Sequence, residues 1–119
     1  MISVIIPTYN RPETLINLLN SIKRQTYTDY EVVVVNDAGD PIEYVLEIFT
    51  TMPVTYIKHS ENKGTAACRN TGIKASKGKY LTYVDDDDIL YEHHFETLIK
   101  LLQNHKVAYT DSYQAIQEK

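Results

Sequence analysis

Four carboxylates stand side by side at Asp85-Asp86-Asp87-Asp88, directly after the short apolar run Tyr80-Leu81-Thr82-Tyr83-Val84. Four adjacent acids at the end of a buried strand are hard to reconcile with a merely solvated face. In extended chain Asp85 and Asp87 point the same way and Asp86 the other. Like charges this close repel and raise one another's pKa unless a cation joins them. Hard carboxylate oxygens suit Mg²⁺ or Mn²⁺, ions that commonly bridge one or two carboxylates to a substrate's phosphates. Asp85 and Asp87 are therefore the candidate metal ligands. The plainer reading is an Asp-rich turn, with Asp88 serving as the cap of the following helix.

The elements that position these acids follow from the changing hydrophobic period. Ile2 to Pro7 and Glu31 to Asn36, the latter containing Val32-Val33-Val34-Val35, read as strands covered on both faces. Val54 to Lys58, Tyr80 to Val84 and Val107 to Thr110 read as three more. Between them, Leu15, Leu18, Leu19 and Ile22 mark one apolar helix face, opened by Asn10 or Arg11 as cap, Pro12 and Glu13. Asp40-Pro41-Ile42-Glu43 repeats that grammar before Val45, Leu46 and Phe49. Thr65 to Ser76 is a helix of small residues, and Phe95, Leu98, Ile99 and Leu102 mark a fourth helix.

Strands alternating with helices imply an α/β fold: a Rossmann-like, mostly parallel sheet with helices on both faces. Residues 1–110 are expected to form one domain, with 111–119 a tail of weak apolar patterning. In such sheets ligands bind beyond the carboxyl ends of the strands. The residues there are Thr8-Tyr9-Asn10-Arg11, Asp37, His59 to Asn62, and the acidic run.

Several chemistries are excluded. No G-x-G-x-x-G follows the first strand and no G-x-x-x-x-G-K-[ST] occurs, which argues against dinucleotide and P-loop sites. The 119 residues carry 12 basic and 16 acidic side chains, a net charge of −4, so no nucleic-acid partner is expected. A single cysteine, Cys68, excludes an internal disulfide and fits a reducing, cytoplasmic setting. It reads as a small buried side chain rather than a reactive thiol. No apolar run reaches the ~20 residues of a membrane span.

Four segments, in order, resemble family 2 glycosyltransferases, the inverting enzymes of the GT-A fold. They are Ile2 to Pro12, Val35-Asn36-Asp37-Ala38, the N-x-G-x-x-x-x-R-N-x-G segment from Asn62 to Ile73, and Lys77 to Asp88 leading into a D-x-D motif. The resemblance implies a site for a nucleotide-diphospho-sugar donor, most naturally a UDP-sugar. Within it Thr8 and Tyr9 would hold the base, and Asp37 would accept a hydrogen bond from the base edge. Arg69 would lie near the pyrophosphate or order the acidic loop. Asp86 would reach the ribose or the donor sugar, and Asp85 and Asp87 would be the D-x-D positions. Pro7, Asn10, Arg11, Asn62 and Gly64 belong to the same binding segments.

The same resemblance implies a second half that supplies the acceptor site and the catalytic base. This chain is thus expected to be the donor half, or else a nucleotide-sugar-binding module without turnover. The acceptor, whether saccharide, lipid-linked or protein, is left open. In the family a later antiparallel strand separates the fourth and fifth strands. With that strand missing here, a homodimer or higher oligomer through the fourth and fifth strands is expected.

Overall fold

The β-branched runs fold as expected, into the centre of a parallel sheet. β1 spans Ile2–Thr8, β2 Tyr30–Asn36, β3 Val54–Lys58 and β4 Tyr80–Tyr83 in a computed structural model of the chain. Residues 1–103 are described in full, together with the backbone of β5, Val107–Tyr109, and of β6, Ala115–Glu118. Thr110 and residues 111–114, part of the expected fifth strand and tail, lie outside the described residues. The helices are α1, Pro12–Lys23; α2, Glu43–Ile48; α3, Thr65–Ala75; and α4, His94–Leu102.

β1 pairs in parallel with both β2 and β4, and β2 with β3. The register Val4↔Val32 and Ile6↔Val34 puts these side chains on one face of the sheet. There they meet Leu15, Leu18, Leu19 and Ile22 of α1 and Phe95, Leu98 and Leu102 of α4. Val33 and Val35 point to the other face and pack with Cys68 of α3. Burial on both faces is why the valine run shows no polar alternation. Each fully buried Leu or Val contributes roughly 1.5–3 kcal/mol of transfer free energy. α3 lies so close to the sheet that a Cβ on Gly72 would stand 2.5 Å from Ile5 Cγ2. Small residues are what that approach requires.

Two expectations need correction. The sheet order is β3-β2-β1-β4-β6-β5, with β6 antiparallel to β4 through Tyr80↔Glu118, Leu81↔Gln117 and Thr82↔Ile116. The segment expected to be a tail therefore carries a strand, and it is the antiparallel strand thought to be missing. β4's backbone groups find their partners within the chain, so association through an open β4 edge loses its premise. The second correction concerns helix starts. Arg11 and Ile42 sit at the N-caps of α1 and α2 without a side-chain cap bond. Asn10 has a left-handed φ of 51° and turns its Oδ1 away, to accept the Asp40 amide at 2.7 Å. It ties the loop after β1 to the loop after β2.

Candidate functional site

The carboxyl ends of β1, β2 and β4 open into one pocket. Pro7, Thr8, Tyr9, Arg11, Asp37, Thr65, Cys68, Asp85 and Asp86 line it. Seven of these are sequence candidates; Thr65, at the start of α3, and Cys68 are additions. Asn10, Asn62, Gly64, Arg69 and Asp87 do not line the pocket.

Asp37 forms one wall. It is buried, and three donors hold it: the Lys63 amide on Oδ1 and the Gly64 amide on Oδ2, both at 2.9 Å, and His59 Nδ1 on Oδ1 at 2.9 Å. Burial works to raise its pKa, but the Lys63 amide, His59, the Gly64 amide and Cys68 outweigh it and hold the carboxyl down at about 2. Asp37 is thus an acceptor-only anion at any ordinary pH. Gly64 has φ 92°, a conformation that glycine adopts without strain. Asn62 Nδ2 reaches the Asp37 carbonyl at 3.4 Å. Asn62 and Gly64 therefore brace Asp37 from behind.

Asn36 fixes the rest of this loop. Its Oδ1 accepts the Gly39 amide at 2.8 Å, and its Nδ2 donates to the Asp40 carbonyl at 2.9 Å and to Tyr56 Oη at 3.0 Å. Cys68 is 1% exposed. Burial first, then the Asp37 charge, pushes its thiol up to about 11, so it is a protonated core side chain, as expected.

The opposite wall is the acidic run, folded as a turn rather than a strand end. Asp88 donates its amide to the Asp85 carbonyl at 3.0 Å, and its Oδ2 accepts the Asp85 amide at 3.0 Å. Asp88 hence closes its own turn; α4 begins only at His94, too far on for Asp88 to cap. The expected alternation holds: Asp86 is buried, and Asp85 and Asp87 are exposed. Oxygens of Asp85, Asp87 and Asp88 all lie within 4.8 Å of one another. Three hard oxygens so close fit one small divalent cation such as Mg²⁺ or Mn²⁺.

Arg11 bridges this wall. Its Nη2 and Nε donate to Asp86, and its Nη1 to Asp87 at 3.3 Å. The Asp86 charge raises the Arg11 guanidinium above its ordinary value. Tyr9 stays 47% exposed, a free ring at the mouth of the pocket. Arg69 stands apart: its guanidinium lies over the Tyr83 ring, 5.2 Å from the centroid. Among the described residues it makes no ion pair with the acidic run.

A mostly parallel sheet with helices on both faces, a pocket at its strand ends and an acidic turn beside β4 define a nucleotide-sugar transferase type of fold. The sequence matches the family described as Glycosyl transferase family 2 over residues 3–119. The chain belongs to glycosyl transferase family 2. It is 37% identical over 111 residues to the uncharacterized glycosyltransferase YwdF of Bacillus subtilis, covering 93% of this chain and 41% of YwdF. It is 42% identical over 102 residues to the glycosyltransferase GlyA of Streptococcus pneumoniae, covering 83% of this chain and 14% of GlyA. This chain thus spans less than half of either relative.

Among solved structures, residues 1–349 of TarS from S. aureus superpose with a TM-score of 0.81 at 28% identity, over 89% of this chain and 33% of that one. The mannosyltransferase PcManGT of Pyrobaculum calidifontis shares the fold, with a TM-score of 0.87 at 20% identity, over 98% and 44% of the two chains. Both likenesses bear out the GT-A architecture.

Proposed function

We propose that this chain binds a nucleotide-diphospho-sugar through a divalent cation and presents it for inverting transfer of the sugar to an acceptor. UDP is the proposed nucleotide. The observation that carries this reading is the pairing of a depressed, rigidly held carboxylate, Asp37, with the three-oxygen acidic turn across one pocket. TarS, the 28% identical neighbour, has been solved with UDP and with UDP-GlcNAc.

In this reading the Tyr9 ring stacks on the base, and Asp37 accepts a hydrogen bond from the base edge. Pro7 and Thr8 form the backbone floor beneath it. Asp85 and Asp87 hold Mg²⁺ or Mn²⁺, with Asp88 beside them. The ion neutralises the diphosphate, which otherwise faces a wall whose one cation, Arg11, is already paired with Asp86 and Asp87. Asp86 keeps Thr8 and Arg11 in place. The single cysteine, buried as a free thiol, supports a reducing, cytoplasmic setting. Among the described residues no helix is long and apolar enough to cross a membrane.

Calorimetric titration tests the reading. UDP should bind weakly in EDTA and at least tenfold more tightly with Mn²⁺, and Asp87→Ala should remove most of that gain. Equal affinity in EDTA and Mn²⁺ overturns the metal bridge.

A further inference from the structure

We propose that His59 is a positioning residue for nucleobase recognition, acting through Asp37; the inference rests on the reading of Asp37 as the base contact. His59 directly follows β3 and is 7% exposed. It does not line the pocket. Its backbone amide donates to the Asn36 carbonyl at 2.9 Å, which fixes it beside the end of β2. Its ring spans two elements. Nδ1 donates to Asp37 Oδ1 at 2.9 Å, and Nε2 meets Thr71 Oγ1 of α3 at 2.8 Å. Thr71 in turn donates to the Ala67 carbonyl at 3.0 Å. The imidazole is a strut between the end of β2 and the body of α3.

The consequence lies in the acceptor positions of Asp37. A carboxylate offers about four, two on each oxygen. The Lys63 amide and His59 fill both positions on Oδ1. The Gly64 amide fills one on Oδ2. What remains is the second position on Oδ2; the Cys68 thiol, which also acts on this carboxylate, is only a weak donor. His59 therefore does two things: it stops the carboxylate from turning, and it leaves one acceptor position for a ligand. An acceptor held this way selects a base whose ring nitrogen carries a proton, as in uracil, and disfavours cytosine, whose ring nitrogen at that place is itself an acceptor. Orientation set by surrounding hydrogen bonds before the ligand arrives is what a preorganised site needs.

The test compares three ligands with Mn²⁺ present: UDP, CDP and inorganic pyrophosphate, the last lacking a base. Wild type is expected to prefer UDP to both. His59→Ala should lose about fivefold to tenfold in UDP affinity, the order of one ordinary hydrogen bond, because His59 acts on the base only through Asp37. Its pyrophosphate affinity should stay unchanged, and its UDP/CDP discrimination should shrink. His59→Asn places an amide N–H where Nδ1–H stands and should restore both. Thr71→Val removes the far anchor and should show a smaller loss of the same kind. A merely structural histidine would move UDP and pyrophosphate together, and that result overturns the inference. So does full UDP preference in His59→Ala. A wild type that binds UDP no better than pyrophosphate instead overturns the base-contact reading itself, and the inference with it.

Discussion

The buried Asp86 carboxylate accepts the Thr8 hydroxyl at 2.8 Å and so joins the end of β4 to the end of β1. The ladder between these strands ends at Ile5↔Tyr83. Beyond that point a side-chain bond continues what the backbone has stopped doing. Arg11 donates to both Asp86 oxygens. Asp86 was expected to reach the ribose or donor sugar; it lines the pocket, but with both oxygens engaged inside the protein. Its inward turn is what leaves Asp85 and Asp87 facing out.

Asp86→Ala should therefore cost stability, whereas its neighbours should not. Removing the acceptor strands a buried hydroxyl and a guanidinium, worth about 1–3 kcal/mol. Asp85→Ala removes an exposed like charge and should stay within about 0.5 kcal/mol of wild type. Urea unfolding followed by circular dichroism measures both. Equal midpoints for the two variants would show that the Asp86 bonds contribute nothing net.

Acid should loosen the Asp37 wall in a defined window. The folded carboxyl sits at about 2 against an ordinary 3.8. A depressed folded value means stability that is fully present above the ordinary value and lost as pH falls toward the folded one. Stability attributable to Asp37 is thus constant above about pH 5 and declines from about pH 4 to pH 2. Asp37→Asn should be less stable at neutral pH, and its acid limb should be flatter through that window. Parallel acid limbs for wild type and Asp37→Asn, measured as Tm against pH, would contradict the assignment.

Gly72 offers a test of sign. In a helix, Gly→Ala gains up to about 1 kcal/mol from propensity. Here the added methyl would stand 2.5 Å from Ile5 Cγ2, in a β1 side chain with no exposure. Overpacking of this kind costs about 1–3 kcal/mol. Gly72→Ala should therefore destabilise. Ile5→Ala makes the room, so the double variant should be less destabilised than the sum of the two single ones. Additive losses would mean that α3 simply shifts aside.

The parts of the molecule most legible in the sequence are those governed by local pattern. Val32 to Val35 could only be a buried strand, and the strand ends then located Thr8, Tyr9, Asp37 and the acidic run. What escaped depends on contacts between distant segments. Ala115 to Glu118 has too few apolar residues to announce a strand, and its place beside β4 is set by an open ladder rather than by its own composition. Asn10 has the composition of a cap, but the amide of Asp40 competes successfully for its side chain. Arg69 was expected near the pyrophosphate or the acidic loop; its guanidinium lies over the Tyr83 ring, a contact that no spacing announces. His59 gave one signal, its position directly after β3, and a lone histidine there has no spacing partner to reveal that Asp37 and Thr71 flank it.

The strand at β6 carries the last prediction. It pairs with β4 on one side and β5 on the other. Shortening the chain to residues 1–110 removes it and strips Tyr80, Leu81 and Thr82 of their antiparallel partners. Among the described residues β5 pairs with β6 alone, so it too loses its strand partner. An uncovered strand beside the buried core is a template for another chain. The shortened chain should therefore associate, with light scattering rising across micromolar concentrations relative to the full chain. Substituting Pro for Leu81 in the shortened chain would mix edge protection with core damage, because Leu81 is 3% exposed. The cleaner control is a synthetic peptide of residues 111–119. Supplied in excess, it should occupy the β4 edge and suppress the association. A shortened chain that scatters no more than the full one would show that β4 is sealed without β6.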